Sequence, residues 1–104
     1  MQELAQAELE KWCREQRTFA LFVYTPMCGT CKLAARMLDV AQEALPQAEI
    51  YQINVNGSPG IATHWQITSV PALLLFVDGQ LAERHYALHS VGFVFDVLKS
   101  IPWR

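Results

Sequence analysis

The chain has 104 residues, 52% of them apolar and 17% charged, with five Gly and five Pro. This mixture excludes disorder, collagen-like repeats and low-complexity tracts, and one domain of this size buries about 60–70% of its unfolded surface, so folding needs no disulfide scaffold. Eight Lys and Arg against ten Asp and Glu leave a net charge of −2, which argues against binding nucleic acid by tracking its phosphates.

The first twelve residues, MQELAQAELEKW, carry Glu3, Glu8 and Glu10 ahead of any continuous apolar run. A secretory leader has a basic start and an apolar centre, so a cytoplasmic location is expected. Leu9, Trp12 and Cys13 recur at helical spacing and predict an amphipathic helix over Leu4 to Gln16. Phe19 to Tyr24, FALFVY, reads as a strand buried on both faces. After Thr25 and Pro26, the stripe Ala34, Met37, Leu38, Ala41 and Leu45 predicts a long helix ending at Pro46. A strand over Glu49 to Val55 follows, then a turn at Asn56-Gly57 and a short helix with Ser58 as N-cap and Pro59 at its first position. Strands over Ala72 to Val77 and Leu81 to Tyr86 flank Asp78-Gly79, a strong hairpin signal. Ser90 caps a last helix with apolar face Val91, Val94, Leu98 and Ile101, stopped by Pro102. The longest apolar run, Val70 to Val77, is interrupted by Pro71 and is far shorter than the ~20 residues needed to cross a bilayer, so no membrane partner is expected.

The order α-β-α-β-α-β-β-α places crossover helices between the first strands and a hairpin at the end. This implies an α/β fold with a central four-stranded mixed sheet and helices on both faces. No repeat or linker divides residues 1–104, which are read as a single domain and a monomer.

Three cysteines cannot all pair, and Cys28 and Cys31 are separated by two residues, a spacing that suggests redox chemistry or metal binding. They fall at a strand-to-helix junction, where unpaired N–H groups and the helix dipole favour thiolate over thiol. Lowering a thiol pKa from ~8.5 to ~7 takes about 2 kcal/mol, near the upper end of what a partly buried helix terminus supplies, so local N–H hydrogen bonds have to contribute. On this reading Cys28, nearer solvent, is the nucleophile and Cys31, one turn further in, resolves the mixed disulfide, with Lys32 as a supporting charge. A C-x-x-C is also half of a zinc site, so the pair by itself is only moderately specific.

The rest of the chain sharpens it. A buried strand, TPMCGTCK, a long helix and, about forty residues later, SVPALLLFVDGQ resemble the thioredoxin family from about Phe19 to Leu98. The part before Phe19 is shorter than in typical members, and no first edge strand is visible. The resemblance implies a cis bond between Val70 and Pro71 lying against the cysteines, and a substrate groove formed by Met27, Gly29, Val70, Pro71 and Ala87. Such a groove, apolar and able to pair with an extended backbone, suits many protein disulfides. The implied activity is protein-disulfide reduction, with a flavin- and NADPH-dependent reductase of the thioredoxin-reductase type as electron donor and no bound cofactor.

The departures from the family pattern carry their own expectations. Met27 stands for the usual Trp, and Thr30 for the usual Pro, restoring an N–H and adding a hydroxyl near Cys28. The expected result is a lower Cys28 pKa and a potential less reducing than the ~−270 mV of thioredoxin. Phe22 replaces the family's buried acid and Gln52 its lysine partner, which leaves Cys31 without an evident base and implies slow resolution with a more stable fold. Ala87 replaces a groove glycine and narrows the site.

Each candidate also has a plainer reading. The cysteine pair could be inert thiols, which the helix-terminal position disfavours. Zinc would need two further ligands from Cys13, His64, His85 or His89, and the prolyl loop is expected to block them. Cys13 reads as a packing residue, His85 and His89 as solvated, Trp12 and Trp65 as core or half-buried and Trp103 as exposed. The rival functions are a redox-inactive binding module on the same fold and exchange with a low-molecular-weight thiol. The latter fits less well, because the Gly-Gly element of glutaredoxins is absent after the hairpin.

Overall fold

Two strands of nearly unbroken apolar sequence, FALFVY and ALLLFV, set the architecture, because residues buried on both sides require a layer of helices above and below. In a computed structural model, which describes residues 1–103, the elements are β1 (Gln2–Glu3), α1 (Gln6–Arg14), β2 (Phe19–Tyr24), α2 (Gly29–Ala44), β3 (Ile50–Asn54), α3 (Pro59–His64), β4 (Ala72–Val77), β5 (Gln80–His85) and α4 (Val91–Lys99). A single 3-10 turn, Val55–Gly57, holds the Asn56-Gly57 turn expected there.

The sheet runs β1-β3-β2-β4-β5, with β1, β3 and β2 parallel and β4 and β5 antiparallel to their neighbours. Side-chain alternation divides the core in two. Ala20, Phe22, Ile50, Leu73 and Leu75 pack beneath α2 and α4, against Ala34, Leu38, Val94 and Leu98. Phe19, Leu21, Val23, Ile53, Leu74 and Phe76 pack on the other face against Leu9 of α1 and Ile61 of α3.

The sheet has five strands rather than the expected four, because a first edge strand is present. Gln2 and Glu3 pair with Tyr51 and Gln52, and the N–H of Leu4 donates to the carbonyl of Gln52 at 2.8 Å. Both strand residues are exposed; they are held by backbone bonds and by Leu4, buried just beyond them. Smaller corrections have local causes. Helix α1 stops at Arg14, and Gln16 adopts a left-handed φ of 58° that no helix continues through. Ser58 occupies the N-cap of α3 and Pro59 its first turn, but the Ser58 side chain makes no capping bond. Ser90 does cap α4, accepting from Phe93 N–H at 3.1 Å. Val91, expected on the buried face, is 37% exposed because it lies in the first turn of α4, at the rim of the core.

Trp103 is half-buried rather than exposed, its indole N–H donating to the carbonyl of Leu98 at 2.7 Å. His85 is likewise half-buried, 2.8 Å from the Glu83 carboxylate and edge-on to Phe93, whereas His89 is exposed. The hairpin turn follows its sequence signal: Asp78 and Gly79 have φ of 52° and 82°, the positive pair a type I′ turn requires. Their N–H groups donate to Thr18 Oγ1 at 3.1 Å and to the carbonyl of Arg17 at 2.8 Å, tying the turn to the α1–β2 connection. Among the described residues no helix is long and apolar enough to cross a membrane.

Candidate active site

Central strand β2 delivers the chain through Thr25, Pro26 and Met27 to the start of α2, where Cys28 is the N-cap with extended φ and ψ of −119° and 109°. Its sulfur takes the place of the usual capping oxygen and accepts the N–H of Cys31 at 3.1 Å. The Thr30 hydroxyl lies 3.3 Å from the same sulfur. Cys28 and Cys31 are paired as a disulfide with Cα atoms 5.2 Å apart, within the ordinary span for such a bridge. The two sulfurs are not equivalent. Cys31 is 3% exposed and belongs to the core beneath α2, whereas Cys28 is only half-buried at the surface end of the helix.

The Val70–Pro71 peptide bond is cis, and β4 begins directly after it. Thr30, Pro71 and Ala87, far apart in sequence, line one recess of about 330 Å³ together with residues of α2 and of the loop before α4. Cys31 and Lys32 line a second recess of about 200 Å³ on the other side of α2, with Phe22, Tyr24 and Gln52. Met27 projects almost wholly into solvent at 97% exposure and lines neither recess. A Cβ added at Gly29 would meet nothing within 4 Å, so no neighbour in the fold requires glycine there. Val70 is half-buried and packs against both halves of the core.

Behind Cys31, Phe22 is 1% exposed and stacks on Tyr24 with ring centroids 6.1 Å apart. Across the strands Phe22 pairs with Gln52, which in turn pairs with Glu3. Among the described residues no carboxylate lines the recess behind Cys31. Tyr24 and Gln52 of this lining belong to a polar cluster at the sheet edge, where Glu3 accepts hydrogen bonds from the Tyr24 hydroxyl and, at 2.8 Å, from Gln52 Nε2. The bond to Glu3, then burial, then the charge of Glu3 push the Tyr24 phenol up to about 12. This cluster rests on β1, and its Glu-to-Gln52 contact spans 49 residues.

Sequence reasoning also missed Leu33, Met37 and Leu88 as site residues. They line the recess with Pro71, but their helical or strand-end spacing had marked them only as packing residues or left them unremarked. Cys13 is half-buried beside a recess of about 370 Å³ between α1 and α3, and burial pushes its thiol up from the ordinary range. Among the described residues no group of three or more His, Cys, Asp or Glu is arranged to hold a metal ion.

The comparisons with known proteins converge on one family. The thioredoxin family model matches residues 1–91. The chain is 48% identical over 99 residues to thioredoxin-like protein YusE of Bacillus subtilis, covering 95% of this chain and 92% of that protein. It is 39% identical over 61 residues to the chloroplastic thioredoxin M-type of Spinacia oleracea, covering 58% of this chain and 34% of the spinach protein. The crystal structure of mitochondrial thioredoxin 3 from Saccharomyces cerevisiae, in its oxidized form, superposes with a TM-score of 0.84 over 97% of this chain and 95% of that one at 22% identity, a likeness of fold. With the family model spanning most of the sequence, a full-length relative near half identity and a cysteine pair within bridging distance, the chain belongs to the thioredoxin family of thiol–disulfide oxidoreductases.

Proposed function

We propose that this protein is a cytoplasmic protein-disulfide reductase, a monomer of one domain, in which Cys28 attacks and Cys31 resolves. One observation carries the assignment of roles: the half-buried Cys28 sulfur sits at the N-terminus of a sixteen-residue helix, accepting an N–H, with Cys31 at 3% exposure behind it. The same donors that meet the sulfur in the oxidised state would stabilise a thiolate after reduction, since charge-assisted hydrogen bonds are stronger than neutral ones.

The reaction balances in two steps. The Cys28 thiolate attacks one sulfur of a substrate disulfide, forming a mixed disulfide and releasing the other sulfur as a thiolate that takes up a proton. Cys31 then loses its proton and attacks Cys28, forming the Cys28–Cys31 disulfide and releasing the second substrate thiol. Two electrons pass to the substrate, and a thioredoxin-reductase-type flavoprotein using NADPH restores the dithiol. The pair needs no bound cofactor or metal for this. Met27, Gly29, Val70, Pro71 and Ala87 would meet the substrate, and Thr30 and Lys32 would support Cys28 through a hydroxyl and a positive charge.

The second step is the slow one on this reading, because Phe22 lines the recess behind Cys31 and among the described residues no carboxylate does. Insulin reduction driven by dithiothreitol tests the activity. Turnover that Cys28→Ser abolishes is expected, and Cys31→Ser should accumulate a mixed disulfide with a protein substrate. Absence of turnover in the unaltered chain, or trapping of small thiols only, would contradict the proposal.

A further inference from the structure

A thiol that is 3% exposed has to lose its proton before it can attack, and the groups about Cys31 limit where that proton can go. Cys31 lines the recess of about 200 Å³ together with Tyr24 of β2 and Gln52 of β3, and this space has room for water. Both of those side chains donate to the Glu3 carboxylate of β1, Gln52 Nε2 at 2.8 Å. The sheet thus brings an acid from its first strand within one side chain of the recess that holds the buried sulfur. Lys32 lines the same recess, Arg36 lies exposed one turn beyond it, and Asp39, further along α2, pairs with the N-terminal ammonium of Met1 at 3.8 Å and does not line the recess. Lysine and arginine carry donors only, whereas a phenol can accept one proton while it passes on another. Tyr24 is the lining hydroxyl that donates to a carboxylate.

We propose that Glu3 takes the proton of Cys31, passed through water and the Tyr24 hydroxyl, when Cys31 resolves the mixed disulfide. The inference rests on the reductase reading above and assigns the proton acceptor that its second step requires. The Cys31 proton goes to water in the recess, water gives one to the Tyr24 oxygen, and Tyr24 gives its own to Glu3. The Cys31 sulfur bonds to Cys28, the bond from Cys28 to the substrate sulfur breaks, and the departing substrate thiolate is protonated from solvent. Glu3, exposed on its edge strand, then returns its proton to solvent. Glu3 and Tyr24 act on Cys31 through water, as positioning residues. The route is longer than a direct contact, in keeping with a slow second step.

The test uses the reduced Cys13→Ser protein and one equivalent of 2,2′-dipyridyl disulfide, which loads Cys28 with release of one pyridine-2-thione; attack by Cys31 releases a second, followed by absorbance. Between pH 5 and 7 the rate of the second release should be nearly level, because an ionised carboxylate accepts the proton. In Glu3→Gln and in Tyr24→Phe, conservative changes whose fold is checked by circular dichroism, it should be about a hundredfold lower at pH 5 and climb about tenfold per pH unit, since only thiol already ionised then reacts. A level profile kept by either variant overturns the proposal, as does a loss equal at every pH, which would make the cluster a brace for β1, or a climbing profile in the parent protein. Absence of any second release overturns the reductase reading and the proposal with it.

Discussion

Thr30 lies beside the Cys28 sulfur and Phe22 lines the recess behind Cys31, so the proposed roles of the two sulfurs can be tested one residue at a time. The Thr30 hydroxyl is 3.3 Å from Cys28 and sits in the first turn of α2, where proline would be tolerated. Removing the hydroxyl and N–H by Thr30→Pro should take away a hydrogen bond worth about 1.5–3 kcal/mol to the thiolate, making the pair about 30–60 mV more reducing. Equilibration with glutathione measures this, and an unchanged potential would remove Thr30 from the site. Phe22→Asp should speed resolution of the mixed disulfide while losing about 3–5 kcal/mol of stability, the usual cost of deleting a buried aromatic; stopped-flow fluorescence and urea unfolding read the two effects separately. Faster unfolding with unchanged resolution would show that Cys31 gains nothing from a carboxylate there. Tyr24 titrates at about 12 because it donates to Glu3. Below pH 10 the phenol is neutral in folded and unfolded chains alike and its contribution to stability is whole; as pH rises from 10 through about 12 the unfolded chain ionises first and stability falls. In Glu3→Ala the absorbance titration near 295 nm should move down toward 10, and an unmoved curve would mean that Glu3 does not hold the phenol.

At the scale of elements, the Asp78–Gly79 turn shows how much one residue can demand. Gly79 has a φ of 82°, and a Cβ there would fall on the backbone carbonyl of Cys13 at the end of α1. Gly79→Ala should lose more than about 2 kcal/mol, since a left-handed alanine alone costs about 1–2 kcal/mol and the backbone contact adds to it; a thermal melt within a degree of the original would contradict this. That turn was legible in the sequence because Asp-Gly between apolar runs has a single physical solution. The long helix α2, the central strands and the capping role of Ser90 were legible for the same reason, each local signal agreeing with its neighbours. Strand β1 was not. Gln2 and Glu3 are both exposed, so they show no alternation, and their pairing with β3 depends on backbone bonds to residues some fifty positions away. Ser58 takes the N-cap position expected of it, although its side chain makes no capping bond. The Cys28–Cys31 pair was legible from spacing and flanking motifs, whereas the recess along α2 was not, because Leu33 and Met37 come to line it only when the loop before α4 folds across them.

For the molecule as a whole, the division of labour between two faces of one sheet matters most. The side under α1 and α3 is packed by aromatic and aliphatic groups and holds the half-buried thiol of Cys13, whose pKa burial raises. The side under α2 and α4 places one sulfur in the core and the other at its boundary. A fold built this way gives the Cys28 sulfur an N–H donor and a nearby hydroxyl while its partner stays buried, and the proposed division of roles depends on that contrast. Alkylation by iodoacetamide, followed from pH 4 to 10 on the reduced Cys13→Ser protein, tests it directly. The rate at Cys28, assigned by mass spectrometry, should reach half its maximum below the ~8.5 of an ordinary thiol while Cys31 reacts far more slowly; a midpoint at or above that value, or equal reactivity of the two sulfurs, would contradict the assignment.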